Sequence, residues 1–313
     1  MNFVIALLVM IFSMASIYAQ YPDKVGMPGC DAVSGEQLGL QWGISCTFTP
    51  GYISLADTNA GIVQMKDTIH VIGKADNRTL SLGDGGMATM IFAQPIADGP
   101  GPDFAVFENS FEDYFLEFAF VEVSSDGIQF TRFPAVSLTP TEKQLGPFDR
   151  IPDVRALHNL AGKYRGGYGT PFDLSELKDS SGVNIQSITH VRVIDVVGST
   201  DARFARIDSR GNIINDPWPT PFSTCGFDMD AIAVINEQIM IAENIEIYPN
   251  PLQDGNGKVK KGLQEFDVFT MQGEYVRNVN DGIISSNGLS PGMYVMRGML
   301  NGTVYTGTFM IVR

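Results

Sequence analysis

From about residue 80 the chain runs as short apolar stretches broken by turn formers. "MATMIFAQPI" (87–96), "FAVFE" (104–108), "LEFAFVEVSS" (116–125), "THVRVIDVV" (189–197) and "DAIAVI" (230–235) are rich in Val, Ile and Phe. Each is bounded by Gly, Pro, Asp or Ser, which predicts strands. Helical signals are scarce. Asp173 in "FDLSELKDSSG" (172–182) is placed to cap a single turn, and "DVRALHNLAGKY" (153–164) offers another. Residues 20–80, rich in Gly, Asp, Asn and Thr, show few periodic runs and read as irregular. The expectation is an all-β chain with a jelly-roll-like β-sandwich over residues 20–237.

"INEQIMIAENIEIYPNP" (235–251) marks a boundary, with a linker expected at 238–243. Residues 244–313 then show their own short strands and the hairpin turns "MQGEYV" and "LNGTVY". At 313 residues two domains are expected. Hydrophobic content of 44% with 18% charged residues argues against disorder. The net charge is −14, and residues 238–313, with six Lys/Arg and seven Asp/Glu, carry only −1 of it. The acidity belongs to the first domain. It disfavours nucleic acid and anionic membranes as partners, and it supplies carboxylates suited to calcium.

"MNFVIALLVMIFSMASIYAQ" opens the chain with an apolar run followed by small and polar residues. It reads as a secretory signal peptide (1–19) cut between Ala19 and Gln20, although it lacks a basic start. The run is too short for a membrane anchor, and no later stretch is apolar enough to span a bilayer. Export to an oxidising compartment predicts one disulfide among Cys30, Cys46 and Cys225. Cys30–Cys46 is the simplest pairing and Cys46–Cys225 the alternative.

Four blocks of the second domain occur in a telling order: "IYPNP" (247–251), "FDVFTMQGEYV" (266–276), "ISSNGLSPGMYVMRG" (284–298) and "GTFMIVR" (307–313). Together they resemble the C-terminal sorting domain of type IX secretion cargo. The resemblance implies a small Ig-like β-sandwich recognised by the type IX machinery, and a secreted or outer-membrane cell-surface location. The first domain, through "SLGDGG", "DGPGPDFAVFENSF", "NLAGKYRGGYGTPFDLSEL" and "GFDMDAIAVIN", resembles an uncharacterised family of bacterial cell-surface proteins. That resemblance implies no activity. Its fold is similar, at a distance, to galactose-binding and carbohydrate-binding jelly rolls.

Nucleophilic catalysis finds little support. There are three histidines, His70, His158 and His190, with no G-x-S-x-G elbow and no H-E-x-x-H. Paired carboxylates for a polysaccharide hydrolase remain an alternative through Glu108, Glu117, Glu122, Asp195, Asp228 or Asp230. Calcium is the use the chemistry favours, because a hard cation takes six to eight oxygens, often from loops. Asp103, Glu108, Asn109, Asp228 and Asp230 are the expected ligands, with strand alternation putting Asp228 and Asp230 on one side. The plainer account has Asp103 capping its Gly-Pro turn and Glu108 taking backbone N–H bonds. Tyr164, Arg165, Tyr168, Trp218 and Phe222, on Gly/Pro loops, form the expected surface for a glycan or another surface ligand. The function expected is a non-catalytic binding or adhesion module.

Overall fold

The computed structural model describes residues 21–64, 67–237, 243–253, 255–259, 262–271, 274–300 and 303–312. The expected signal peptide with its Ala19–Gln20 cut, and linker residues 238–242, lie outside the described residues. The chain divides into two compact units, Met1–Gln238 and Ile239–Arg313, and both are all-β. Helical structure among the described residues of the first unit is limited to single 3-10 turns. Two of them, Val154–Ala156 and Leu174–Leu177, fall where helical turns were expected, capped by the carboxylates of Asp153 and Asp173. No helix among the described residues is long and apolar enough to cross a membrane.

In chain order the strands of the first unit are β1 (Val33–Ser34), β2 (Gln41–Trp42), β3 (Ser45–Thr49), β4 (Leu80–Ser81), β5 (Met87–Ile96), β6 (Phe104–Glu108), β7 (Ala119–Ser124), β8 (Thr131–Arg132), β9 (Val136–Ser137), β10 (Leu157–His158), β11 (Tyr168–Phe172), β12 (Ile188–Asp195) and β13 (Asp228–Val234). One sheet runs β1-β11-β6-β13-β2, with β4 also on β13, and the other runs β3-β5-β12-β7-β8. Pairing is antiparallel throughout both. Their facing side chains form one core, Phe104, Val106, Met229 and Ile232 from the first sheet meeting Met90, Val121, Val191 and Val193 from the second. The unit is a β-sandwich.

β5 shows the expected alternation over its first turns of pleat, with Ala88 and Met90 buried. β6 does not alternate, because all five of its residues are buried. Phe104 and Val106 enter the central core, while Ala105 and Phe107 pack outward under Val33, Leu40, Trp42 and Ala75. The segment read as irregular therefore has a task. It covers the outer face of the first sheet and contributes four strands, β1 to β4. A strand covered on both faces is written as a continuous apolar run.

The expected Cys30–Cys46 bridge does not form, nor does Cys46–Cys225, since all three cysteines are free. Cys46 is fixed by register opposite Met90 on the second sheet. Cys30 lies in the loop before β1, its sulfur accepting the Ala32 N–H at 3.4 Å. The buried Cys225 turns its thiol to the carbonyls of Tyr52 and Ile53. Three separate settings leave no pair to join.

The second unit carries β14 (Glu243–Asn244), β15 (Ile247–Tyr248), β16 (Asn256–Val259), β17 (Phe266–Thr270), β18 (Tyr275–Val279), β19 (Ile283–Ser285), β20 (Gly292–Leu300) and β21 (Thr303–Ile311). They form the sheets β14-β21-β20-β17-β18 and β15-β16-β19. Both contribute to a core that includes Ile247, Val268, Ile284, Met296 and Phe309.

Phe104 is fully buried and lies 5.3 and 5.8 Å, ring centre to ring centre, from Phe172 and Phe133. Phe104→Ala should destabilise the first unit by about 3–5 kcal/mol, read from urea unfolding. A loss below about 1 kcal/mol would contradict this core assignment.

Candidate functional site: carboxylates at the two ends of the central strand

Strand β6 carries a carboxylate at each end, and the two belong to different groups. Asp103 precedes it. Antiparallel register sets Phe172 opposite Phe104, so Asp173, next after β11, comes beside Asp103. The "DGPGPD" loop brings Asp98 to the same place, and one ligand oxygen from each of Asp98, Asp103 and Asp173 lies within 4.8 Å of the others. Asp103 is already well occupied. Its Oδ1 accepts from Gly99 N–H at 2.8 Å and Asn236 Nδ2 at 2.9 Å, and its Oδ2 from Leu174 N–H at 2.7 Å. Burial raises its pKa while these donors act the other way. Asp173 accepts the N–H of Ser175 at 2.9 Å. Asp98 Oδ1 is buried with no hydrogen-bond partner.

At the other end Glu108 accepts the Ser110 N–H at 2.8 Å, and the backbone N–H of Asn109 is turned to the same carboxylate. Asp228 accepts the Ser81 hydroxyl. Glu117 keeps partial solvent access and is pressed by Asp228 and Glu108. Burial first, then negative neighbours, hold Glu108 and Glu117 well above the ordinary carboxylate range. Asp195 accepts from Gly85 N–H at 2.9 Å and Phe227 N–H at 2.8 Å, and is pushed up to about 7 by burial and by Asp84. Burial raises Asp228 to about 6. Asp216 accepts the Phe118 N–H at 3.0 Å and is raised well above its usual value by burial and by Asp195.

The five expected metal ligands are therefore not one shell. Asp103 and Glu108 stand at opposite ends of a five-residue strand, roughly 17 Å apart at 3.3 Å per residue. Asp228 and Asp230 also fail to pair. A bulge against β6 between Met229 and Ala231 resets the alternation, so Met229 joins Ile232 and Val234 in the central core while Ala231 and Ala233 face outward. Asp230 instead accepts the N–H groups of Asp76 and Asn77, both at 3.1 Å. Asp98 and Asp173 were not among the five expected ligands. Only the pairing of β6 with β11 makes neighbours of residues so far apart in the chain.

The aromatic loops also separate. Tyr164 is buried and donates its hydroxyl to Asp31. Arg165 pairs with Asp113 at 3.0 Å and lies over the Tyr168 ring. Trp218 is half-buried, donating Nε1 to Asp84 at 3.0 Å, and the exposed Phe222 leans on Phe148. These side chains mostly fasten loops, and the two loops engage different partners. His190 has a structural setting, with Nδ1 2.8 Å from the Thr189 hydroxyl and its ring edge-on to Phe130.

No family model matches this chain, and no curated protein matches it.

The raised carboxyls predict an unusual pH profile. Asp195 and Asp228 ionise near pH 4 when unfolded but near 7 and 6 when folded. Between those limits the folded chain holds more protons, so their stabilisation is complete below about pH 4 and is lost as pH rises towards 7. The lowered carboxyls, including Asp76, Asp126, Asp153 and Asp201, act in the opposite sense but at the acid end, below their ordinary values. In EDTA the melting temperature of the protein should fall between pH 5 and 7.5, and Asp195→Asn should flatten that slope. A melting temperature that rises across the interval would contradict the assignment.

Proposed function

We propose that this chain is an exported cell-surface binding module, non-catalytic, whose first unit is stabilised by calcium at Asp98, Asp103 and Asp173. The observation that carries the calcium reading is that cluster, with oxygens within 4.8 Å of one another and a buried Asp98 Oδ1 that has no donor. Calcium binds oxygens at 2.3–2.6 Å, so one ion can touch oxygens up to about 4.8 Å apart. The donor set is all oxygen and carries up to three negative charges, which suits a hard cation rather than zinc. When bound, the ion would supply the positive charge that the three carboxylates lack.

A hydrolase working through paired carboxylates is less well supported at Glu108. That residue is 3% exposed and engaged by backbone N–H groups, which leaves a substrate little access to it. The export route rests on the four sorting-domain blocks between 247 and 313 and on the compact, separate all-β unit they build. In this reading the unit is the address recognised by the type IX machinery, and the sandwich is the delivered cargo.

Two measurements test these claims. In calcium at about 100 times its Kd, the native state gains about 2.7 kcal/mol by mass action. For a unit of this size that is a rise of about 5–10 °C in melting temperature over the EDTA value. Asp98→Asn should abolish the rise and Glu108→Gln should leave it intact, whereas equal curves with and without calcium would remove the metal. For export, deleting residues 244–313 in a type IX-competent bacterium should leave the protein in the periplasm, read by cell fractionation. Surface delivery of the truncated chain would refute the sorting role.

A further inference from the structure

The first unit holds a second polar constellation, which the carboxylate clusters do not explain. A pocket of about 200 Å³ is walled by Asp31, His158, Asn159, Lys163, Asp173 and Glu176. Lys163 is the unusual member. Its residue is 4% exposed, its ammonium donates to the Leu157 carbonyl at 3.0 Å, and among the described residues no carboxylate oxygen lies within salt-bridge range of it. An ammonium carries three N–H donors, so a buried one with a single carbonyl acceptor is incompletely satisfied. Burial lowers its pKa to about 8, against the pull of Asp31.

The acidic wall is better served. Asp31 accepts the Tyr164 hydroxyl. Glu176 accepts from Asn159 Nδ2 at 2.7 Å, with His158 Nε2 at 3.3 Å. Asn159 holds this position with a φ of 49°, in the left-handed region that a residue with a side chain seldom adopts. The His158 ring is stacked at 4.6 Å on Tyr21, which fixes its plane. Pro102 and Pro171 complete the lining with apolar rings.

We infer that this pocket binds a single neutral pyranose-sized unit, a sugar residue of a glycan. Three carboxylates in so small a space repel an anion, and the Lys163 ammonium held among them offsets part of their charge, so the pocket does not need a cation to fill it. A hydroxyl both donates and accepts, so a polyol can take hydrogen bonds from Lys163 and Asn159 and give them to Glu176 and Asp31. The proline rings offer an apolar surface for the C–H face of the ring. The volume lies below the 300–1,000 Å³ common for drug-sized ligands and limits the occupant to one ring. The assignment rests on the binding-module reading and names the ligand class for it. The calcium response at Asp98 is a separate measurement, so either claim can fail while the other stands.

The test is saturation-transfer NMR and calorimetry on the full chain, in calcium, with methyl glycosides of neutral hexoses and N-acetylhexosamines. Free amino acids serve as the comparison. At least one glycoside should bind with a Kd of about 1 mM or tighter. Lys163→Met should weaken that binding at least tenfold with the fold retained by melting. Glu176→Gln, at an exposed position that should not disturb folding, should weaken it as well. Asp173 is left unaltered because it also belongs to the proposed cation site. The proposal is overturned if no glycoside binds at 10 mM, if only amino acids bind, or if Glu176→Gln binds as tightly as the parent chain.

Discussion

Buried carboxylates that accept backbone N–H groups are the interaction on which the first unit depends. Among the described residues its helical structure is limited to short turns, so long loops must find partners for their backbone donors elsewhere. Aspartates supply them. Asp103 ties the "DGPGPD" loop to Leu174, and Asp195 ties Gly85 to Phe227. Asp230 holds the Asp76–Asn77 turn on β13, and Asp208 gathers Ser137, Arg210 and Asn212. The bonds from Leu174, Gly85, Phe227, Asp76, Asn77 and Ser137 join segments far apart in the chain, as a disulfide would, while those from Gly99, Arg210 and Asn212 close local turns. Losing one such carboxylate would leave buried N–H groups unsatisfied, a cost of about 1–3 kcal/mol each.

The same device concentrates negative charge at the sheet ends, with few basic side chains to offset it. Arg206 acts on Asp84 and Asp195, and Arg78 on Asp230. Glu108, Glu117 and Asp216 are instead influenced by further carboxylates. Protonation and cation binding are the two ways to relieve such a cluster. The first sets the expected acid-side stability. The second motivates calcium where Asp98, Asp103 and Asp173 converge. Asp173 also forms part of the pocket wall, so cation and ligand sites would share one residue.

Much of the strand pattern was legible in the sequence, because Val, Ile and Phe runs between turn formers report burial on a pleated sheet. The all-β class and the principal strands β5, β6, β7, β12 and β13 follow from it. Glu108 also behaves as its plainer account required, a carboxylate taking backbone N–H bonds at a strand end. What sequence missed were the consequences of pairing. Alternation predicted a shared face for Asp228 and Asp230, and one bulge against β6 undid it. Asp98 read as a turn residue and Asp173 as a helix cap until the register of β6 with β11 joined them to Asp103. The cover formed by Leu40, Trp42 and Ala75 carries no periodic signal, since its pieces are short and act on a distant sheet.

The central claim is that a hard cation completes the carboxylate cluster beside Asp103. The most direct test is anomalous diffraction from crystals of the protein grown with terbium, a calcium substitute with a strong signal. The account predicts a peak within about 2.3–2.6 Å of oxygens from Asp98, Asp103 and Asp173. No peak there, or a peak bound only by Glu108, Glu117 and Asp228, would contradict it.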